Sequence, residues 1–244
     1  MPGLLWRGPG AVAAESQQRV ATVDCPVNDQ TGPARLQAAD TMSASVAPPL
    51  AGQLAYYRAE HSPGVYAPKG WTCHAWDGSN GSTLVVTPKR VEPPYFPLPV
   101  ITGPAVMIEA SDAASSGRFH VAIVAAQLFP LIGSEFIARV RQEHLISDSS
   151  FGVESYPDDR LTYLSDRLVQ YITPPERAGL GTAGMLEVSD LPVRGLTILN
   201  LESEANALTE VRVRLPAGLN AVAAAIVQLE TTCVQLLRGC RGLP

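Results

Sequence analysis

"LTILNLESEANALTEVRVRL", Leu196 to Leu215, is the stretch that decides the fold class. Its two ends, Leu196–Leu199 and Val211–Leu215, are the clearest strands in the chain, rich in β-branched and apolar residues. The second run alternates strictly. A period of two places Val211, Val213 and Leu215 on a core face, and Arg212 and Arg214 on the solvent face. The polar loop between them, Glu202 to Ala207, suits an antiparallel hairpin.

Moving outward, Leu161 to Ile172 reads as a second hairpin turning at Ser165–Asp166, ended by Pro174–Pro175. Leu84–Thr87 and Ala105–Glu109 are further strands. Ser115–Ser116 supplies a helix N-cap, and the segment Phe119–Phe129 is apolar on nearly every face, the mark of a buried helix closed by Pro130. A second helix from Ser134 buries Phe136, Ile137, Val140 and His144 or Leu145. Another is expected after Pro48–Pro49, with Leu50, Leu54 and Tyr57 on one face and an end at His61–Gly64. In the last helix Val222, Ile226, Leu229, Cys233 and Leu236 form one apolar seam; Asn220 caps it and Gly239 ends it. The sum is an α+β protein: a mainly antiparallel sheet packed against three or four helices. Residues 1–45 read as an irregular N-terminal arm, and residues 46–244 as a single α+β domain. The proline-dense segment 88–104 is a surface stretch that the aromatic pair Tyr95–Phe96 packs down, not a domain boundary.

Composition excludes several functions. Hydrophobic residues make up 46% and charged residues 17%, too apolar for a disordered chain. A formal net charge of -5 without a basic run leaves no footprint for nucleic acid. The richest apolar run, Val121–Phe129, is about half of what a membrane span needs. The opening "MPGLLWRGPGAVAAES" is a poor secretory signal, because Arg7 sits inside the apolar stub; Ala11–Ala14 resembles the small-residue end of a cleavage site. It reads either as a truncated signal remnant or as a Gly/Ala-rich tail. A Cys25–Cys73 bridge would tie the arm to the body and indicate a secreted or periplasmic setting. Cys233, on the helix seam, reads as a buried small hydrophobe. A Cys233–Cys240 bridge would need the chain to double back, since seven residues of straight helix separate Cα atoms by about 10 Å.

The most chemically crowded stretch is "GWTCHAWDGSNGST", Gly70 to Thr83. His74, Asp77 and Ser79 or Ser82 offer base, acid and nucleophile types, and His120 is a second candidate base. However, "GSNGS" is no nucleophile elbow: it precedes a strand instead of following one. Cys73 beside His74 would be a thiolate candidate only if it escaped the disulfide. Neither C-x-x-C nor H-E-x-x-H occurs, so no metal site is expected. "GLGTAG", Gly179 to Gly184, is a poor dinucleotide fingerprint, and no cofactor is expected. Asp158–Asp159 and Glu202–Glu204 read as turn residues and not as a glycosidase pair. Asp77–Gly78 and Asn80–Gly81 supply turn chemistry before the Leu84 strand.

Two segments carry a resemblance: "QLAYYRAEHSPGVYAPKGWTCHAWDGSNGSTLVVTP" (Gln53–Pro88) and "YPDDRLTYLSDRLVQYITPPERAGLGT" (Tyr156–Thr182). Ala67–Cys73 fits A-P-x-G-W-x-C, Gly78–Gly81 fits G-S-x-G, and Thr162–Tyr163, Tyr171–Pro174 and Gly179–Thr182 follow in order. Together they resemble an uncharacterised family of exported bacterial proteins. The resemblance implies export and a shared fold, and assigns no catalytic residue. The resulting expectation is an exported binding or envelope-associated interaction module without a complete catalytic constellation. Tyr66, Trp71 and Trp76 would offer a stacking surface for a glycan or peptide. The alternative is a serine-type hydrolase using His74 or His120 with Ser79 or Ser82.

Overall fold

The Leu196–Leu215 hairpin forms as its alternation dictates, but in the middle of a wide sheet and not at its edge. The structure, a computed structural model, describes residues 18–29, 32–34, 45–91, 97–151 and 156–235. The N-terminal strands are β1 (Gln18–Arg19), β2 (Ala21–Asp24), β3 (Val27–Asp29), β4 (Gly32–Ala34) and β5 (Ser45–Val46), followed by one helical turn, α1 (Pro48–Ala51). Then come β6 (Leu54–Ala59), β7 (Ser62–Pro68), β8 (Thr72–Gly78), β9 (Gly81–Thr87) and β10 (Ala105–Ser111). Helices α2 (Arg118–Leu128) and α3 (Ser134–Gln142) precede β11 (Arg160–Ser165), β12 (Leu168–Thr173), β13 (Val193–Leu199), β14 (Leu208–Arg214) and α4 (Asn220–Gln235).

Nine strands form the main sheet in the order β11-β12-β13-β14-β10-β9-β8-β3-β4. All its pairings are antiparallel except β3 with β8. A second sheet, β2-β6-β7, also holds one parallel pair, β2 with β6, and β1 pairs with β5 in a small ribbon. The fold is therefore α+β, mostly sheet, and mixed instead of purely antiparallel. Both parallel joints come from the stretch 18–29 that sequence patterning takes for an irregular arm. Strands of three or four residues are too short to display a period, and partners elsewhere define them. The chain crosses between the two sheets at Cys25–Pro26, where the Cys25 N–H donates to Arg58 O and the Ala75 N–H donates to Pro26 O.

Alternation divides the main sheet's side chains between two cores. Val106, Ile108, Val211, Val213 and Leu196 face the three-stranded sheet and α4, which contributes Val222, Ala223, Ile226 and Val227. On the opposite face Val169, Tyr171, Leu199 and Leu208 pack under α2 and α3, and Trp76, Val85, Met107 and Val193 under loops that carry Ile101, Met185 and Leu186. With both faces covered, β14 has no solvent side. Arg212 and Arg214 are 2% and 0% exposed, which corrects the expectation that they face water. Arg214 is held by three backbone carbonyls, donating to Gly103 O, Glu187 O and Ile101 O. It thereby pins two loops onto the sheet.

Other local expectations change for identifiable reasons. The helix after Pro48–Pro49 stops at Ala51, because Leu54, Ala55, Tyr56 and Tyr57 are all buried, on both faces of β6. A strand buried on both sides loses its period of two, and here it mimicked a helical one. Ser115 and Ser116 do not cap α2: Gly117 precedes it, and Ser116 Oγ instead donates to the β8–β9 turn. Ser134 begins α3 after Gly133 without a side-chain cap, and His144 and Leu145, one of which was expected to be buried, are both exposed. Cys233 is disulfide-bonded, not a free buried thiol. The leader-like residues 1–17, Tyr95–Phe96, Leu236, Gly239 and Cys240 lie outside the described residues.

Candidate functional site

Four charged side chains meet beneath α2. On β14, Glu210 and Arg212 lie two residues apart and so on the same face; β10 brings Glu109 opposite Glu210 in register. Arg212 donates from Nη1 to Glu109 Oε2 at 2.8 Å, from Nη2 to Glu210 Oε1 at 2.9 Å, and from Nε to Leu180 O at 3.3 Å. The apolar faces of α2 press Val121, Ala122, Val124 and Ala125 inward, and His120 of the same helix reaches β14. Its Nε2 lies 2.8 Å from Glu210 Oε2.

The electrostatics follow from burial and pairing. Burial alone would raise Glu210, but the charge of Arg212 and the His120 hydrogen bond hold it down at about 2, so it is ionised. Burial would likewise lower Arg212, and Glu210 and Glu109 reverse this. His120 is pulled down by burial and lifted further by its bond to Glu210, ending above its ordinary value. Protonation of the ring is favoured relative to a free histidine, and its Nε2 is committed to Glu210.

Glu109, His120 and Glu210 offer ligand atoms within 4.8 Å of one another, a spacing compatible with a metal ion. The Arg212 guanidinium, bonded to both carboxylates, already supplies a cation between them, so the donor set is neutralised from within. Tyr171 completes the surroundings. It lies in register with Gly195, which lies in register with Arg212, and its ring crosses β13 where Gly195 leaves room. Its hydroxyl is buried and meets no hydrogen-bond geometry with the described residues. His120, Glu210 and Arg212 open onto a pocket of about 350 Å³ that Gln127, Ser149 and Tyr156 also line.

The crowded stretch on β8 and β9 does not assemble as a triad. Cross-strand partners share a face: His74 lies opposite Val85, whereas Asp77 lies opposite Ser82. Three residues along a strand reverse the side, so His74 points away from Asp77 and Ser82. His74 packs against Trp76 with ring centroids 4.8 Å apart, and its buried Nε2 has no hydrogen bond. Burial and nearby Arg90 lower its pKa, so it is neutral. Asp77 is raised by burial above the ordinary aspartate value. Ser82 Oγ is buried without a partner, and Ser79 is bonded by Ser116 at the start of α2. Ser79 and Ser82 border a separate pocket of about 250 Å³ with Trp76, Leu98, Glu109 and Ser111. Of the proposed bases, His120 alone has an acid partner, and the described hydrogen bonds bring it no serine.

The aromatic surface is also corrected. Tyr66 and Trp76 are each 4% exposed, and Trp71 is partly buried with its N–H donated to Tyr57 Oη. Tyr66 stacks edge-on against Tyr56, its backbone N–H donates to Glu230, and burial first and then Glu230 push its pKa to about 12. Tyr66 and Trp76 are core, apart from the edge of Trp76 in the smaller pocket, and Trp71 packs against that core while partly exposed. The Cys25–Cys73 disulfide is present, with a Cα–Cα distance of 5.4 Å, and Cys25 is fully buried in the core between the sheets. Among the described residues no helix is long and apolar enough to cross a membrane.

No protein-family model, no curated protein and no solved structure matches the chain. The site's residues are thus known from geometry alone. Glu210 and Arg212 were missed because an E-x-R-x-R strand reads as a solvated face, and Glu109 because it lies on a separate strand 101 residues away. The available signal was His120, a polar residue next to the apolar run Val121–Ala126, which needs a partner below it.

Proposed function

We propose that the protein is an exported binding module, of an uncharacterised bacterial type, that holds a polar ligand such as a peptide or glycan segment against His120. The observation that carries this is the quartet of ionisable groups, from which His120, Glu210 and Arg212 line the pocket beneath α2. Glu210 fixes the ring by Nε2, which leaves Nδ1 as the atom for a ligand acceptor. Ser149, Gln127 and Tyr156 line the rest of the pocket with hydrogen-bonding groups. Export is supported by the Cys25–Cys73 bridge, whose persistence requires an oxidising compartment. NMR titration with peptidoglycan fragments and short peptides tests the reading: a binder must shift the His120 ring signals, and His120→Gln must abolish the response. Shifts confined to other residues would count against it.

A second reading rests on one observation: the His120–Glu210 pair has the base-and-orienter form of a hydrolase. Ser149 and Ser150 border the same pocket and replace Ser79 and Ser82 as candidate nucleophiles. Fluorophosphonate labelling of either serine that disappears in His120→Gln would favour hydrolysis over binding alone.

A further inference from the structure

On the opposite face of the sheet, the structure places two arginines without partners under one cavity. Arg160 on β11 is in register with Ile172 on β12, and Ile172 is in register with Arg194 on β13. The three side chains therefore stand in a row on one face, the arginine Cα atoms about 10 Å apart at two strand spacings. Above them α4 contributes Ala224, Val227 and Gln228, enclosing about 350 Å³. Gln170, next to Ile172 on that side of the cavity, donates to Thr231 and so ties α4 to β12 as a fixed roof.

Neither arginine forms a salt bridge or side-chain hydrogen bond among the described residues, and Arg194 Nε is buried with no acceptor. The buried, unpartnered Nε is what sets Arg194 apart from the other described arginines. Arg58, Arg118, Arg167, Arg177 and Arg212 each face a carboxylate, and Arg214 has three carbonyls. A buried guanidinium Nε without a protein acceptor is an unmet donor. The described residues lining the cavity include Thr162, Gln170 and Gln228, and no acid.

We propose that this cavity is an anion site that takes a phosphate group, free or as the ester of a small molecule. Two guanidinium forks approach from two strands and so from two sides. A carboxylate has two oxygens and is satisfied by one fork; a tetrahedral dianion presents separate oxygen pairs to both. Thr162 and Gln228 supply neutral donors for what remains. The volume sits near the lower end of the range for small-ligand pockets, about 300 to 1,000 Å³, which limits the ester to a small one.

Calorimetric titration of the full chain in low-salt chloride buffer tests this, with inorganic phosphate, glycerol 3-phosphate and succinate as probes. Phosphate or its ester must bind with one-to-one stoichiometry, and Arg160→Gln and Arg194→Gln must each weaken binding about tenfold or more. Arg194→Lys, which keeps charge but loses the fork, must fall between. Tighter binding of the ester identifies an ester ligand; a response to inorganic phosphate alone identifies the free ion. Succinate binding without phosphate binding overturns the assignment, as does phosphate affinity unchanged in both glutamine variants, or no saturable phosphate heat at all. Should Arg194→Gln fail to fold, the exposed Arg160→Gln and the Arg194 Nε NMR signal of the wild type decide: that signal must move with phosphate.

Discussion

Arg212→Met tests whether the quartet is an electrostatic unit. Methionine preserves much of the volume but removes the donors to Glu109, Glu210 and Leu180 O. Glu109 retains partial access to water; Glu210, 5% exposed, does not and keeps only His120. Removing one member of a buried pair typically costs about 3 to 5 kcal/mol, and the surviving His120 bond places this site near 3. Against a domain stability of about 5 to 15 kcal/mol, that is a large share.

The pH dependence separates this mechanism from a simple packing defect. In the wild type, Glu210 titrates at about 2, below its ordinary 4.5, so its stabilisation is present above 4.5 and lost as pH falls towards 2. Without Arg212, only His120 still opposes burial and the folded value rises; the penalty then grows as pH rises. The deficit of the variant relative to wild type must shrink between pH 7 and pH 4. Urea unfolding followed by tryptophan fluorescence, with disulfides intact, measures it. Adding Glu210→Leu must recover about 2 kcal/mol, because a buried pair replaced as a pair is far less costly than a broken one. A loss below about 1 kcal/mol at pH 7, or an equal deficit at both pH values, would refute the reasoning.

Replacing Cys25 and Cys73 together by serine opens a loop of sequence separation 48 and must cost about 4 kcal/mol in chain entropy, read from urea midpoints; a loss under about 1 kcal/mol rejects the staple. Glu230, buried on α4 and accepting the Tyr66 N–H, is raised by that burial to about 8. A raised carboxyl stabilises fully below its ordinary 4.5, and this is lost as pH climbs to 8; Glu230→Gln must flatten melting temperature against pH across that window, and an unchanged profile contradicts it. Gly195→Ala places a Cβ 2.3 Å from the Tyr171 hydroxyl and 2.5 Å from Val211 O, so about 3 kcal/mol of stability should be lost. Adding Tyr171→Leu should return part of it, and no recovery would mean that the carbonyl clash dominates.

Much of the fold could be read where elements carry their own signal. The hairpins at 160–173 and 193–214, the strands at 81–87 and 105–111, and the helices at 118–128, 134–142 and 220–235 all declare themselves by period or propensity. The failures share a cause: each depends on what lies across the sheet. Leu54–Ala59 mimicked a helix because both its faces are covered, and residues 18–29 were silent because their partners, β6 and β8, are more than 25 residues away in sequence. The disulfide was legible as a link between arm and body. His120 was legible as a candidate base, but its partner Glu210 is 90 residues distant and belongs to a strand whose charges imitate a surface. His74, Asp77 and Ser82 show the converse: proximity in sequence within a strand does not bring side chains together when they alternate between faces.

The same alternation gives a criterion for sorting this protein's buried charges. At Glu210, Arg212 and Glu109 each charge has a partner inside the chain, and folding itself repays part of their desolvation. Arg214 achieves the same with carbonyls. Such groups hold the sheet to its loops and helix whether or not a ligand arrives. Arg160 and Arg194 are held differently: the backbone register fixes them beside one another, like charges under a common roof, with no acceptor from the described chain. The described residues give that arrangement no ion pair, and an anionic ligand would supply one. Neutralising either arginine should therefore leave stability unchanged or improved in phosphate-free buffer, whereas neutralising Arg212 lowers it. Stability measured in the absence of ligand thus separates the charges that build the fold from those set aside for binding.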